Sequence, residues 1–417
     1  MRARADEQPG ERSGSEIGLS GEIRWSVVVP TRNRRDALVQ TLQRLAEHPD
    51  ARRLEVVVAD NDSRDGTAAA VRGFARRTPG LAVRVLERGD ANACAGRNAA
   101  VAAAGGDRLL FLDDDSTPRA GTLGAAEAAF SADPRLGAVG GPAFLPGGGQ
   151  DACALPALSA CCGWAVRREA FEAAGGFDES LEMQAEELGL ACALLAAGWS
   201  VGRRPGVAFD HRRVASGRPA PRRARLDLRN NLCLAARWLP RPRVAAALAD
   251  LRGRYTALLL AAGGTPADAD AAAAEAAALA GAAPPAPLNE AAAEALFGFE
   301  AQRAAVARFA AGRGLGRGAP VALGGYTKHA GITHEAAEAA GLEVVAVEDA
   351  GPAFRGRSLR GTPVVTTPRG RTRSVALLHT DLNPGRGLPA EDPLGRPVLR
   401  LRDAYPADAT AAAAPDA

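Results

Sequence analysis

The chain lacks the features that mark a membrane-spanning or disulfide-rich protein. No stretch approaches the roughly 18 uninterrupted apolar residues that a membrane span needs. Residues 1–22 are polar and charged, without the apolar core of a secretory signal. The six cysteines show no Cys-x-x-Cys spacing, which argues against a zinc site and against a disulfide framework. We therefore expect a soluble, cytoplasmic protein with free thiols.

A strong overall charge is also absent. The net charge is +3, which predicts no general attraction to nucleic acid. Positive charge is concentrated between His211 and Asn230, where seven arginines accompany one acidic residue, Asp227. This patch favours anions locally. A hydrophobic content of 47% is ordinary for a globular protein, and the length allows about two to three domains.

Short β-rich runs alternate with helical patterns through the first half of the chain, which is typical of βαβ units and a mostly parallel sheet. The predicted strands are 25–29, 54–59, 82–86, 108–112 and 136–139. The predicted helices are 35–47, 67–76, 95–104 and 123–130, followed by an arginine-rich helix at 223–238. We expect an α/β domain over 23–240, preceded by a disordered tail at 1–22.

The second half divides into an alanine-rich stretch and another α/β block. Residues 241–315 carry few large side chains, so we expect helices of low packing specificity or a partly disordered linker. Residues 316–405 return to β/α alternation, and 406–417 has the composition of a disordered tail. The predicted strands are 320–323, 342–347, 363–366, 374–378 and 397–401. The loop Gly324–His329 resembles a degraded Rossmann nucleotide site, because it lacks the Gly-x-Gly-x-x-Gly fingerprint. We expect a small Rossmann-like regulatory or assembly domain.

The most informative motif is the apolar run 109–112, which is followed directly by Asp113, Asp114 and Asp115. A buried strand thereby delivers carboxylates to the edge where open α/β sheets bind ligands. Asp113 and Asp115 stand at alternate positions and can offer oxygen ligands to Mg²⁺ or Mn²⁺, which leave positions free for substrate phosphates. A solvated acidic turn is the other interpretation that this motif alone allows.

Three polar loops follow other strands of the same predicted sheet. They are Pro30-Thr31-Arg32-Asn33, Asp60-Asn61-Asp62-Ser63, and the loop that leads into a helix containing Arg97. Their short polar side chains suit base and ribose recognition at the shared carboxyl edge, and Arg97 can face a diphosphate. An ordinary turn with a helix cap at Asp65, and a surface charge at Arg97, explain part of the same pattern.

Taken in order, these motifs and several later ones resemble those of family-two glycosyltransferases with a GT-A-type fold. The resemblance covers more than half of the chain. The motifs are Val29-Pro30-Thr31-Arg32-Asn33, Asp60-Asn61-x-Ser63, Arg97-Asn98, Asp113-Asp114-Asp115, Gly175-Gly176-Phe177-Asp178-Glu179, Glu186-Glu187-Leu188, His211 and Arg229-Asn230. The resemblance implies a mostly parallel open sheet flanked by helices, and a nucleotide-sugar donor.

The resemblance also implies roles for individual residues. The nucleotide-sugar site would comprise Pro30, Thr31, Arg32, Asn33, Asp60, Asn61, Arg97, Asp113 and Asp114. Asp113 and Asp115 would hold Mn²⁺ or Mg²⁺, and His211 would complete the metal or diphosphate site, although a lone histidine is also a common structural hydrogen-bonder. Trp164, Gly175 and Gly176 would form the floor beneath donor sugar and acceptor, with core packing as the alternative for Trp164. Cys161 and Cys162 are expected to be packing residues.

The implied reaction is inverting, with a carboxylate as general base near the acceptor hydroxyl. The matching position is Glu187, and the neighbouring Glu186 is the alternative, since acidic residues are favoured in any first helical turn. The chain departs from the common family pattern here. Many relatives have Glu-Asp at these two positions and another aspartate where this chain has Gly189.

The resemblance implies a glycan or lipid-linked acceptor, used in polysaccharide, glycolipid or glycoconjugate assembly. The helix at 223–238 either packs on the catalytic domain or rests on the inner face of the cell membrane. Two other functions fit parts of the chain. A catalytically inactive nucleotide-sugar sensor is suggested by Gly189 and the degraded last domain. A sugar-1-phosphate nucleotidyltransferase shares the sheet and metal chemistry, but its glycine-rich loop after the first strand is missing.

Overall fold

The computed structural model of the chain describes residues 25–151, 155, 157–158, 162–215, 220–282, 286–366, 374–381, 392, 394–405 and 410–411. The predicted tail 1–22, most of the predicted tail 406–417, and Cys161 lie outside these residues. Among the helices it describes, none is long and apolar enough to cross a membrane.

We call residues 25–238 the N-terminal unit. Its elements are β1 (Trp25–Thr31), α1 (Arg35–Ala46), β2 (Leu54–Asn61), α2 (Thr67–Arg77), β3 (Ala82–Arg88), α3 (Ala93–Ala103), β4 (Arg108–Phe111), β5 (Ser116–Pro118), α4 (Thr122–Ala132), β6 (Leu136–Gly140), β7 (Ala143–Phe144), β8 (Trp164–Arg167), α5 (Arg168–Ala173), α6 (Glu186–Ala196), β9 (Ser200–Arg203), β10 (Phe209–His211) and α7 (Ala220–Trp238). All predicted strands and helices of this half are present, with small shifts at their ends.

The rest of the chain forms four helices and a second α/β unit, residues 320–405, which we call the C-terminal unit. The four helices are α8 (Arg241–Ala261), α9 (Pro266–Ala282), α10 (Glu290–Phe297) and α11 (Phe299–Gly312). The later elements are β11 (Pro320–Gly324), α12 (Ala330–Ala339), β12 (Glu343–Glu348), β13 (Ser358–Leu359), β14 (Thr362–Val365), β15 (Ala376–His379), β16 (Val398–Arg400) and β17 (Thr410–Ala411).

The main sheet is mixed but mostly parallel, as expected. Its strand order is β17, β9, β6, β8, β4, β1, β2, β3. Strands β1 to β4 and β6 with β9 pair in parallel, whereas β8 runs antiparallel between β4 and β6. The carboxyl ends of β1, β2 and β4 therefore meet at one edge. A small sheet of β5, β10 and β7 brings His211 beside Ser116 at that same edge.

Apolar side chains cover both faces of the main sheet. Val27 and Val29 pack with Leu38 and Leu42 of α1 on one face. Val28 packs on the other face with Phe111 and with residues of α3, α6 and α7. Burial on both faces explains why β1 is a continuous β-branched run rather than an alternating one. The edge of the main sheet where β1, β2 and β4 end is therefore supported by a sheet that is packed on both faces.

The alanine-rich stretch is helical and packed, which corrects the expectation of low packing specificity or a linker. Ala269, Ala272 and Ala276 of α9 are buried against Leu228 and Leu232 of α7 and parts of α8. Small side chains allow helices to approach closely, so alanine supplies a contact surface here. Helix α7 is consequently covered by α8 and α9 along this face, and its Leu234 packs into the core of the main sheet, as in the interpretation that packs the helix on the catalytic domain.

The C-terminal unit has its own sheet, in the order β13, β14, β12, β11, β15, β16. The pairs of β11 with β12 and β15, of β12 with β14, and of β15 with β16 are parallel. Its core includes Val321, Leu323, Val347 and Leu378. The α/β character predicted for this block is therefore confirmed.

Candidate active site

A cleft of about 720 Å³ opens at the carboxyl edge of the main sheet. The end of β4 and the loops after β1 and β10 form one side, and the first turn of α6 together with α7 forms the other. Its charged lining residues are Arg34, Arg97, Asp113, Asp114, Asp115, Asp151, Glu186, Glu187, His211, Arg213, Arg223 and Asp227. Opposite charges alternate around this cleft, so it is equipped to bind a ligand that carries both phosphate and a cation.

The three consecutive aspartates have different surroundings. Asp113 has a partly exposed carboxylate, while Asp114 and Asp115 are buried. Asp114 accepts hydrogen bonds from the Thr31 hydroxyl at 2.9 Å and from Nε of Arg34 at 3.1 Å. Burial raises the pKa of Asp114 to about 6, although Arg34 favours its charged form. Asp114 therefore ties β4 to the loop after β1, and Asp113 is left to face the cleft.

Asp115 belongs to a buried chain of charges that runs through His211. Nη2 of Arg34 lies 2.6 Å from Asp115, and Nε2 of His211 lies 3.2 Å from it. Nδ1 of His211 lies 2.6 Å from Asp151. Burial opposes the charge on Asp115, but the hydrogen bond with His211 and the charge of Arg34 lower its pKa to about 2. Asp115 is thus an anion at neutral pH.

The same partners determine the charge of His211. Burial by itself would lower the pKa of His211, but hydrogen bonds with Asp115 and Asp151 raise it to about 12. The protonated His211 therefore supplies a positive charge between the carboxylates of Asp115 and Asp151, at a place where a metal cation could otherwise lie. A divalent cation that took its place would require the neutral imidazole, so binding of the cation would release a proton.

Among the described residues, two sets of side chains place potential metal ligands within 4.8 Å of one another, and they share His211. One set is Asp113, Asp115 and His211, and the other is Asp151, Cys162 and His211. Burial raises the pKa of Cys162 to about 11, so it is a neutral thiol at physiological pH and a poor ligand. Two carboxylates and an imidazole suit Mn²⁺, and carboxylates suit Mg²⁺. The first set therefore fits the expected metal.

Arg97 connects the aspartate cluster to α6. Its guanidinium is buried and donates to Glu186 at 3.0 Å and to Asp113 at 3.3 Å. It also lies 5.4 Å from the centre of the Phe177 ring. This position holds a positive charge directly behind Asp113, where it can face the diphosphate of a ligand in the cleft.

The Gly175-Gly176 turn sets the position of Phe177. Both glycines have positive φ angles, 78° and 77°, which residues with a Cβ rarely adopt. The Asn98 amide accepts from the Phe177 backbone N–H and donates to the Phe177 carbonyl, both at 2.9 Å. The turn thus supports the ring beneath Arg97, and neither glycine is among the residues that line the cleft.

Glu186 and Glu187 differ in their partners. Glu186 is buried and paired with Arg97. Glu187 is half-buried, and among the described residues no other side chain hydrogen-bonds to its carboxylate. Burial raises the pKa of Glu187 to about 7, and the charge of Glu186 adds to that rise. A carboxylate with a pKa near the working pH is suited to accept a proton, so Glu187 is the better candidate base.

A loop with unusual backbone angles leads into α6. Glu182, Gln184 and Ala185 have positive φ angles of 61°, 72° and 58°, each of which costs energy for a residue with a side chain. The buried amide of Asn230 compensates by donating 2.8 Å hydrogen bonds to the carbonyls of Leu181, Met183 and Gln184. Helix α7 therefore fixes the start of α6, and with it Glu187.

The Asn230→Ala substitution is expected to destabilise the protein by about 2–4 kcal/mol, because it leaves buried carbonyls without donors. Urea unfolding would measure the loss. Asn231→Ala is the matched control, since within the described part of the chain the Asn231 amide bonds to just the Asp227 carbonyl of its own helix. Equal losses in the two variants would contradict a special role for Asn230.

Residues 26–149 match the sequence profile of the family described as Glycosyl transferase family 2. This part of the chain is therefore similar to a family-two glycosyltransferase domain. Over 94 residues it is 38% identical to the uncharacterized glycosyltransferase YfnE of Bacillus subtilis (strain 168). That alignment covers 22% of this chain and 23% of YfnE, so the chain matches about a quarter of the length of this curated relative.

Two solved structures are similar to a larger part of the chain. One is the mannosyltransferase PcManGT from Pyrobaculum calidifontis in complex with GDP-Man and Mn²⁺, at 26% identity and a TM-score of 0.44, covering 63% of this chain and 81% of that one. The other is S. aureus TarS 1-349 in complex with UDP-GlcNAc, at 19% identity and a TM-score of 0.45, covering 61% and 83%.

Within the family-two domain, the structure brings part of the expected nucleotide site to the cleft. Pro30 lines the cleft, and the loops after β1 and β2 are joined, with Arg32 bonded to Asp62 at 3.2 Å. The Asn33 amide oxygen accepts from the Arg64 N–H at 2.7 Å. Asp60 accepts from the Ser63 N–H at 3.1 Å, so its carboxylate is engaged in the turn.

Several expected site residues do not line the cleft, and Trp164 and Asn61 are buried away from its surface. Trp164 is fully buried in β8, so the expectation that it stacks on a sugar is wrong, and its alternative as a core residue holds. Asn61 is buried against the first turn of α3, where a Cβ on Gly96 would lie 2.4 Å from its amide oxygen. Asn61 therefore lies between β2 and α3. Trp164 is buried because its side chain has a large apolar area.

Gly189 explains part of the departure from the family pattern. A Cβ at this position would lie 3.0 Å from Leu181 and 3.4 Å from Leu234. An aspartate there would point among leucines, where an unpaired carboxylate is costly. Gly189 therefore fits its own apolar neighbours, and it removes no carboxylate from the cleft of this family-two domain.

Three residues of the site were missed by the sequence reasoning: Arg34, Asp151 and Asp227. Arg34 directly follows the recognised Asn33, so its position was the available signal. Asp151 stands after Gly147, Gly148 and Gly149, in a stretch without helical or strand periodicity. No local pattern links it to His211, and only the tertiary fold brings the two together.

Proposed function

We propose that the protein is an inverting, metal-assisted glycosyltransferase that moves a sugar from a nucleotide-sugar donor to a hydroxyl acceptor. The observation that carries this proposal is the presence of a metal-ligand set and an ionisable carboxylate, Glu187, in one cleft of a family-two domain. Mn²⁺ or Mg²⁺ bound by Asp113, Asp115 and His211 would neutralise the donor diphosphate as the nucleotide leaves.

Residues around the metal set would orient the donor. Arg97 is held by Asp113 and Glu186, so its guanidinium is preorganised to face phosphate oxygens. The loops that carry Pro30, Thr31, Arg32, Asn33, Asp60 and Asn61 would surround the nucleoside. Asp114 would support the nucleoside site indirectly, because its hydrogen bonds with Thr31 and Arg34 fix the loop after β1.

Glu187 would act at the acceptor. Its carboxylate would take the proton of the acceptor hydroxyl as the oxygen attacks the anomeric carbon from the face opposite the leaving group. The proton moves to Glu187, and the bond to the nucleoside diphosphate breaks. A metal and cationic side chains that stabilise the leaving group remove the need for a general acid.

We also propose a glycan or lipid-linked acceptor and a cytoplasmic location, with peripheral contact at the membrane as one route to a lipid-linked substrate. Arg213 and Arg223 line the cleft. Arg213 is paired with Asp151, whereas Arg223 can direct its positive charge toward an acceptor that carries phosphate. Their position beside the cleft supports an anionic acceptor more than a neutral one.

The pH dependence of transfer follows from Glu187. The base must be ionised, and its pKa is about 7, so kcat/KM is expected to fall roughly tenfold for each pH unit below that value. Glu186→Gln removes a facing negative charge and should move this acidic limb to lower pH. An acidic limb near the ordinary glutamate value in the parent protein would contradict the assignment.

The experiment that tests the function is a screen of purified protein against a panel of nucleotide sugars. Release of nucleoside diphosphate is followed with Mn²⁺, Mg²⁺ or EDTA, with and without glycan and lipid acceptors. Metal-dependent release from one donor supports the proposal and identifies the sugar. Saturable donor binding without release would instead favour a nucleotide-sugar sensor.

A further inference from the structure

A single lysine from the C-terminal unit lies at the boundary with the N-terminal unit. Lys328 is the only lysine of the chain. It follows β11 and is half-buried, and it makes no hydrogen bond or salt bridge to any other described residue. A half-buried ammonium without a hydrogen-bonding partner loses part of its hydration, which costs free energy. Other charges near Lys328 must therefore compensate for this cost.

The loop that presents Lys328 is firmly built. Gly325 has a positive φ of 98°. The Tyr326 N–H donates to Asp349 at 2.7 Å, and the Thr327 and Thr380 hydroxyls lie 2.9 Å apart. Helix α12 begins two residues after Lys328. This lysine is consequently held by the second sheet rather than carried on a free loop.

The C-terminal unit packs closely on α8 beside this loop. Arg360 of the C-terminal unit pairs with Asp250 of α8 at 2.7 Å. A Cβ on Gly331 would lie 2.0 Å from an Asp250 carboxylate oxygen, so α12 can approach α8 only because this residue is glycine. The contact fixes how far the loop with Lys328 reaches toward α6 and α7.

Lys328 lines a mostly apolar cavity of about 80 Å³ together with Leu188 of α6 and Asn231 of α7. Leu188 directly follows Glu187, and Asn231 stands one helical turn after Asp227, on the same side of α7. The lysine is thus placed behind the two turns that present Glu187 and Asp227 to the cleft.

The charge of Lys328 acts on both carboxyl groups. Burial raises the pKa of Glu187 to about 7 and that of Asp227 to about 6, and Lys328 opposes both rises. Other charges also face the two groups. Glu186 and Arg97 act on Glu187, and Arg223, Glu186 and Arg254 act on Asp227.

We propose that the C-terminal unit supplies Lys328 as a positioning residue behind the active-site cleft, where its charge favours the ionised forms of Glu187 and Asp227. The sugar-transfer consequence rests on the function proposed above. The electrostatic contact between the two units does not, and it can be measured without turnover. The C-terminal unit thereby adjoins α6 and α7 through the apolar cavity behind the cleft.

The test compares four proteins by the titration of Glu187. Glutamate labelled with carbon-13 at its side-chain carboxyl gives a signal that is assigned by its loss in Glu187→Gln. Lys328→Met removes the charge and keeps the length, and Lys328→Arg keeps the charge. Arg355→Met removes an exposed charge from the same unit and is the matched control.

Lys328→Met is expected to move the Glu187 titration upward by about one pH unit, as loss of a nearby opposite charge does, whereas Lys328→Arg and Arg355→Met leave it in place. An unchanged titration in Lys328→Met overturns the proposal. If that variant unfolds, Lys328→Gln is used in its place, with thermal unfolding as the check.

Turnover measurements separate this proposal from the function itself. In an active protein, the acidic limb of the pH profile should move with the Glu187 titration in Lys328→Met and return in Lys328→Arg. Absence of turnover with every donor and acceptor would count against the proposed function, while the titration would still decide the role of Lys328.

Discussion

The Glu187→Gln variant is expected to transfer sugar roughly 10²- to 10⁴-fold more slowly than the parent protein, the range that loss of a general base usually causes. The amide has nearly the same shape, so the helix start held by Asn230 should persist. Donor affinity should also persist, because we propose that Glu187 acts on the acceptor. Initial rates at saturating donor, with calorimetric donor titration, give both quantities.

Glu186→Gln is the matched comparison. Its carboxylate is bonded to Arg97, so its loss should disturb the donor end and raise the KM for donor more than it lowers kcat. Full activity in Glu187→Gln together with an inactive Glu186→Gln would transfer the base to Glu186. Full activity in both variants would contradict the proposed mechanism.

The Asp115→Asn variant is expected to lose Mn²⁺ affinity by more than the roughly 10- to 100-fold that loss of an outer-shell partner costs. It should also be less stable by about 3 kcal/mol, because Arg34 and His211 would keep buried charges without their shared counter-ion. Electron paramagnetic resonance of free Mn²⁺ measures the first effect, and urea unfolding measures the second.

Asp113→Asn separates the two effects. Its side chain is 37% exposed and its contact with Arg97 is longer, at 3.3 Å. We therefore expect a comparable loss of metal affinity with a much smaller loss of stability. Parent-like Mn²⁺ binding by Asp115→Asn would exclude it from the metal set and would redirect attention to Asp151.

The fold of the N-terminal unit was accessible from the sequence because its signals are local. Continuous β-branched runs such as 27–29 predict buried parallel strands, and the polar loops that follow them predict the functional edge. The alanine-rich helices were harder. Their side chains carry no amphipathic pattern of large apolar residues, so only the surfaces of α7 and α8 reveal which alanines are buried.

The site was predictable to the extent that its residues follow strands. Asp113 and Asp115 were predicted from the strand that they follow and Glu187 from the family resemblance, and the three residues lie in one cleft. Asp151 and Lys328 were not singled out, because each reaches the site from an element that is distant in sequence. Trp164 was assigned to a sugar floor by analogy, whereas its position inside a central strand buries it.

The antiparallel direction of β8 determines which edge of the main sheet each of its two ends reaches. Because β8 runs against its neighbours, its beginning lies at the catalytic edge and its end at the opposite one. There Arg168 donates to the carbonyls of Val101, Ala104 and Gly106 and closes the end of α3. Substitutions of Arg168 should therefore lower stability while leaving transfer at the opposite edge largely unchanged.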